Sequence, residues 1–302
     1  MTTARLSERE RKVARRTVGQ ARRGGPRTAF VLAGGASLGA MQAGMLRALY
    51  ERGIRADMLV GTSAGALNAA YVASRPQTVE TAKELGRVWR GLHRQDVFPI
   101  HPPTLIGGLG SQRDHLVPDR PLRRLISRNL ELEHLEQANV PLHLVTFDLL
   151  SGHEVRLSEG SALDAVLAAA SIPGVLPPMP WGERLLVDGG VVNNTPISHA
   201  VELGAQRIYV LATLDPADRS LGLPPRGALD AAMHAFTLLM GARLEADLAR
   251  YAARAELILL PASNPTRVQP TDFGYADRLI GAAFQAARSA LEETRVPAAI
   301  AA

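Results

Sequence analysis

The stretch Leu59-Val60-Gly61-Thr62-Ser63-Ala64-Gly65-Ala66-Leu67 constrains the fold of this 302-residue chain more than any other. An apolar run ends in a serine between two glycines, and helix-forming residues follow directly. That order describes a strand turning sharply into a helix with the serine hydroxyl exposed at the turn, a nucleophile elbow. Gly61 and Gly65 lack the Cβ that would collide with neighbouring backbone in so tight a turn. The new helix also aims unsatisfied N–H groups and its positive dipole end at the place where an oxyanion would form. A glycine-rich turn carrying a solvated serine would show the same five residues, so the elbow alone leaves catalysis undecided.

An earlier apolar run, Thr28 to Ala33, suits a buried parallel strand. It leads into Gly34-Gly35-Ala36-Ser37-Leu38-Gly39, after which Leu38, Met41, Met45, Leu46 and Leu49 share one helical face. Strand, glycine loop and helix in that order form an anion site from backbone N–H groups. A dinucleotide-binding unit would place an acidic residue at the end of the next strand. Asp57 instead precedes Met58-Leu59-Val60, so an oxyanion hole beside Ser63 is the better use of the loop. Much later, Leu185-Leu186-Val187 delivers Asp188-Gly189-Gly190 to a strand end, where catalytic groups of open α/β sheets gather. A plain Asp-Gly-Gly turn is the simpler alternative.

Taken in order, the glycine loop Gly34 to Gly39, the elbow Gly61-Thr62-Ser63-Ala64-Gly65 and Asp188-Gly189-Gly190 resemble the patatin-like phospholipase family. Pro141 to Asp148 is similar to its central strand, Ala170 to Pro178 to its proline-rich segment, and Asn193-Asn194-Thr195-Pro196-Ile197 to the stretch after its catalytic Asp. The resemblance covers residues 28–213. It implies a three-layer α/β/α fold with a mainly parallel sheet. It also implies a serine acyl hydrolase that cleaves carboxylic esters of lipids, of the phospholipase A or lipid esterase type, through an acyl-enzyme. Ser63 would be the nucleophile and Asp188 the general base of a dyad. Gly34, Gly35 and Ala36 would form the oxyanion hole, with Gly39, Gly61, Gly65, Gly189 and Gly190 as supporting positions and no metal or cofactor. The family loop carries three adjacent glycines and then a cation before its last glycine, where this chain has Ala36 and Leu38; the change favours a lipid or acyl esterase over a phospholipase. Two other readings stay open: an α/β-hydrolase triad completed by His199 or His234, which both follow Asp188, and a non-catalytic lipid-binding protein on the same fold.

Composition bounds the setting. The chain has no cysteine, which excludes disulfides and thiolate metal sites, and no run of 18 apolar residues long enough to span a bilayer. Residues 1–27 carry nine Arg or Lys against Glu8 and Glu10, a balance of +7, which leaves −2 on the rest of a chain that totals +5. This basic arm could attract anionic lipid headgroups. Arg22-Arg23 before an apolar run resembles an export signal, but Gly34, Gly35, Ser37 and Gln42 interrupt that run, so a cytoplasmic protein is expected, peripheral to the membrane at most. The basic run has no interleaved aromatics, which sets nucleic-acid binding aside. A single domain over 28–302 follows the arm. Residues 93–119, rich in Pro and Gly, read as a lid or a surface insertion. Apolar residues of the helix over 228–254, such as Phe236, Leu239, Met240 and Leu244, belong to the core or line an acyl pocket.

Overall fold

In the computed structural model, residues 25–99, 101–109, 113–216, 228–264 and 268–293 are described, excluding the side chains at 109, 228–230 and 232–234. β1 (Thr28–Leu32) is buried along its whole length. Phe30 and Leu32 join the hydrophobic core on one face, Ala29 and Val31 the core on the other. A strand apolar on both faces needs helices on both sides of its sheet. The chain supplies them alternately: α1 (Met41–Glu51), β2 (Met58–Thr62), α2 (Ala64–Ala73) and α3 (Val79–Gly91). Thr78 caps α3 by accepting from the Thr81 N–H.

The segment 93–119 is more ordered than its composition suggests. It contains α4 (Arg94–Val97) and α5 (Pro102–Leu109), and α6 (Arg120–Asn129) follows. Pro121 near the start of α6 has a preset φ and lacks only an N–H that the first turn leaves unpaired anyway. Then come β3 (Leu142–Asp148), β4 (His153–Leu157), α7 (Ala162–Ala170), β5 (Met179–Trp181), β6 (Arg184–Asp188) and the short α8 (Gly190–Asn193) and α9 (Ile197–Glu202). β7 (Arg207–Leu211), α10 (Ala228–Tyr251), β8 (Glu256–Leu260) and α11 (Ala276–Glu293) complete the described elements.

All eight strands join one sheet, in the order β5-β6-β3-β2-β1-β7-β8 with β4 also paired to β3. β3, β2, β1, β7 and β8 are parallel, and β4, β5 and β6 run antiparallel to their neighbours. The architecture is therefore the expected α/β one, a mainly parallel sheet between helical layers. α1, α2, α3, α6, α7 and α11 contribute to the core on one face, and α9 and α10 to the core on the other. Leu244 of α10 is core, as expected, whereas Leu239 is exposed. Asp57 accepts from the Thr28 N–H at 2.8 Å and its own N–H donates to the Thr28 carbonyl. It therefore ties β1 to β2 at their amino ends, far from any ribose-binding position. Of the basic arm, residues 1–24 lie outside the described residues; Arg27 anchors to the Leu203 carbonyl at the amino end of the sheet.

Candidate active site

Strand register brings Ser63 and Asp188 together. β4 pairs with Leu144 to Asp148 and so fills one edge of β3. The other edge is shared: β2 pairs with its first half, ending at Thr62 beside Val145, and β6 with its second half, ending at Asp188 beside Thr146. β2 runs parallel to β3 and β6 antiparallel, so the two strands point at each other and stop one register step apart. The residue after Thr62 is Ser63. The end of α7 holds both: the Ser63 N–H donates to the Ala169 carbonyl at 3.0 Å and the Asp188 N–H to the Ser171 carbonyl at 2.9 Å.

Ser63 sits at φ 56°, ψ −127°. For a residue with a side chain such a conformation costs on the order of 1–3 kcal/mol and survives only where surrounding structure fixes it. Here that structure is close-packed backbone. A Cβ on Gly65 would strike the carbonyls of Leu32 and Ala33, and one on Gly34 would lie 2.9 Å from the Ser63 Cβ. Gly39, Gly61 and Gly189 are equally confined, against Ala64, Gly65 and Val145, and Gly190 faces the Asp188 carboxylate.

Asp188 is buried, and burial pushes its pKa up to about 6. Two neighbours favour the carboxylate against that trend, the nearby Ser63 hydroxyl and the Gly190 N–H, which donates to Oδ1 at 2.8 Å. No cation appears among the causes of its shift. A carboxylate with a pKa close to neutral, facing a serine hydroxyl, can accept that proton without being too weak a base.

The glycine loop divides into pinned and unpinned groups. The Gly34 N–H is committed to the Asn194 carbonyl at 3.1 Å, and the Gly34 carbonyl accepts from the Asn194 amide and the Thr213 hydroxyl. The Gly35 and Ala36 N–H groups donate to no backbone acceptor among the described residues. Of the three expected oxyanion donors, Gly34 is therefore committed, while Gly35 and Ala36 have no acceptor for their N–H groups among the described residues. Ala36 adopts φ 48°, the left-handed region in which a glycine would be unstrained. Leu38 is buried in the core and does not border the site.

His199 lies in a separate polar cluster. Its Nε2 is 2.6 Å from Glu154 Oε1, and its Nδ1 is 3.3 Å from Arg156 and 3.5 Å from Glu202. Both ring nitrogens are thereby engaged away from Ser63. Asn193 joins the two regions, donating to Glu154 at 2.7 Å and accepting from the Thr62 hydroxyl at 3.0 Å. The side chain of His234 lies outside the described residues. Among the described residues, no group of three or more His, Cys, Asp or Glu side chains is placed to hold a metal ion, and no helix is long and apolar enough to cross a membrane.

From Ser63 and Ala36 an apolar cleft runs down the length of α2, past Leu67 and Ala70 to Tyr71. It is a narrow cleft, with about 80 Å³ open to the centres of water-sized molecules. α3 contributes Trp89, whose indole N–H is held by Asn68 at 2.8 Å, and Phe273 stacks on that ring. Leu122, Leu125 and Ile126 of α6 close another wall, and Val97 and Phe98 from the 93–119 segment border the cleft. None of the described side chains of the helix over 228–251 lines it, contrary to one of the two roles considered for that helix. The α6 wall was legible but unread: Leu122, Leu125 and Ile126 have helical spacing, with Arg120, Arg124 and Arg128 on the opposite face.

A profile of the patatin-like phospholipase family matches residues 30–201. An uncharacterized NTE family protein of Mycobacterium tuberculosis is 32% identical over 167 residues, 55% of this chain and 27% of that protein. Patatin-like phospholipase domain-containing protein 7 of Mus musculus is 30% identical over 191 residues, 61% of this chain and 13% of that protein. A lysophospholipase of Mycosarcoma maydis is 27% identical over 190 residues, 60% and 9% respectively. The match thus spans little more than a quarter of the longest-covered of these relatives. The crystal structure of VipD from Legionella pneumophila superposes with a TM-score of 0.49 at 15% identity, covering 89% of this chain and 67% of that one. The family profile takes in the glycine loop, the serine elbow and the Asp-Gly-Gly turn together, over more than half of the chain, and the chain belongs to the patatin-like phospholipase family.

Proposed function

We propose that this chain is a lipid acyl hydrolase in which Ser63 attacks the ester carbonyl and Asp188 is its base. The observation that carries the lipid class is the cleft. A cavity that starts at the nucleophile and follows two turns of α2, about 11 Å, between apolar side chains suits an extended acyl chain. Asp188 takes the Ser63 proton as Oγ bonds to the carbonyl carbon, and the Gly35 and Ala36 N–H groups receive the oxyanion. The proton then passes to the departing alcohol oxygen as the ester C–O bond breaks. Water attacks the acyl-Ser63 ester with Asp188 again accepting the proton, which releases the fatty acid and restores the serine. Each oxyanion donor of this kind typically lowers the barrier by about 2.7–4 kcal/mol.

The test pairs a serine-directed fluorophosphonate probe with hydrolysis of lysophosphatidylcholine and of a chromogenic short-chain ester. Wild type is expected to be labelled at Ser63 and to hydrolyse both, and Ser63→Ala to do neither. Wild-type protein that is neither labelled nor active on either ester would point to a lipid-binding protein on a hydrolase fold.

A further inference from the structure

Large apolar side chains stand exposed at one end of the molecule. Leu149 and Leu150, 44% and 69% exposed, form the turn that follows β3. Thr146 lies beside Asp188, and β3 runs about 7 Å further to Asp148, so the turn that carries Leu149 and Leu150 lies beyond the site along the strand direction. Ile106, 71% exposed, and Leu105 lie on α5. That helix packs on His115 and Leu116, and the Leu116 and Val117 N–H groups donate to Gly174 and Val175, just beyond Ile172 on the cleft wall. Tyr275 is two residues from Phe273, which borders the cleft.

Helix length places the last pair. Tyr251 at the end of α10 is buried near the amino end of β8. Leu238 and Leu239 are 13 and 12 residues earlier, about 18–20 Å up the helix, whereas β8 rises only about 16 Å. They therefore also reach the level of the strand carboxyl ends. Among the described residues, every exposed large apolar side chain lies at this end, and none at the amino end where Arg27 enters the sheet.

Charge at the same end is positive on balance: Glu183 in the β5–β6 turn and Asp272 before α11 are exposed without an ion pair among the described residues, but exposed arginines without one, Arg94 and Arg184 included, outnumber them. Asp114, Asp119 and Asp277 are each paired, with His115, Arg123 and Arg90. Arg113, Arg120 and Arg278 are exposed and form no ion pair among the described residues. Apolar side chains interspersed with unpaired arginines match the acyl and headgroup layers of an anionic bilayer.

We infer that the carboxyl end of the sheet is a docking face for anionic phospholipid membranes, and that it sets the cleft mouth on the lipid surface. The inference rests on the acyl-hydrolase reading of that cleft, but membrane binding can be measured without catalysis.

Sedimentation of the full chain with vesicles decides the matter, comparing phosphatidylcholine alone with an equimolar mixture of phosphatidylcholine and phosphatidylglycerol. Wild type and Ser63→Ala are expected to sediment with the mixed vesicles and to remain in solution with phosphatidylcholine alone. The Ile106→Asp/Leu150→Asp variant should lose about tenfold or more in partition, and Arg113→Gln/Arg120→Gln/Arg278→Gln a smaller factor that vanishes at high salt. Both variants should hydrolyse the water-soluble ester within about twofold of wild type, since neither set touches Ser63. Failure of wild type to sediment with mixed vesicles would overturn the inference, as would undiminished sedimentation of the Ile106→Asp/Leu150→Asp variant. Loss of ester hydrolysis with vesicle binding intact would count against the catalytic reading and leave the docking face standing.

Discussion

Asp188, buried, and His199, half-buried, are two titratable groups on either side of Asn193, and both hold their protons to higher pH than usual, for opposite reasons. Burial alone raises Asp188, and the Ser63 hydroxyl and the Gly190 N–H work against the shift. Burial works against the charge on His199, but hydrogen bonds to Glu154 and Glu202 outweigh it and raise the pKa. The first group is a carboxylate with no cation beside it to satisfy its negative charge; the second is an imidazole whose protonated form is favoured by two flanking carboxylates. A base must be left wanting a proton, and a structural ion pair must not be. The contrast supports a two-residue site over a histidine triad in this chain.

The sharpest way to break that contrast is Asp188→Asn. The amide keeps the shape and cannot take the Ser63 proton, so kcat/KM is expected to fall by about 10⁴-fold, the scale seen when a triad carboxylate is removed. The same substitution should stabilise the fold at alkaline pH. Asp188 titrates near 6 when folded, against 3.8 unfolded, so the native state binds more protons between those values and stability falls as pH rises through them. The variant escapes that loss, a gain on the order of 3 kcal/mol above pH 7 that disappears below pH 4. Thermal melts at pH 4 and pH 8 beside activity assays would show the pair of effects; an inactive variant no more stable than wild type at pH 8 would mean that burial of the charge is not what sets this carboxylate apart.

The pH profile of the wild type is the next largest effect. If ionised Asp188 is the base, kcat/KM for a neutral ester should drop about tenfold per unit below a midpoint near 6 and level off above it. A midpoint above 7 that moves in His199 variants would transfer the role to the histidine.

These features were unequally legible in sequence. The alternation of apolar runs with helical spacing, and the three glycine-containing motifs in order, sufficed for the sheet, for the strand-to-helix turn at Ser63 and for the strand end at Asp188, because each rests on local chemistry: a turn with no room for a Cβ, a strand end, a helix start. The convergence of β2 and β6 on one edge of β3 is a matter of register between segments more than 120 residues apart, which no local pattern carries. Gly34 looked like a donor equal to Gly35 until Asn194, 160 residues away, took its N–H. Residues 93–119 looked structureless because Pro and Gly mask periodicity, yet Val97 and Phe98 reach the cleft. The cluster that engages His199 joins β4 to α9 and is likewise a tertiary fact.

His199→Ala is the smallest expected effect on activity. The ring touches neither Ser63 nor Asp188; it reaches the site only through Glu154, Asn193 and the Thr62 hydroxyl. Asn193 keeps its bonds to Ser198 and Thr62 when the ring is gone, so kcat/KM should stay within about threefold of wild type, with no change in the pH midpoint. Stability should fall instead, by about 1–3 kcal/mol, because Glu154 loses a charge-assisted partner. A histidine with a raised folded pKa contributes fully below its unfolded pKa of 6.5 and loses that contribution as pH rises through the folded value. The deficit should therefore be larger at pH 6 than at pH 9, opposite in sign to the gain expected from Asp188→Asn at high pH. Loss of most activity in His199→Ala, with its melting temperature unchanged, would sink the two-residue site and make the Glu154–His199 pair part of the chemistry.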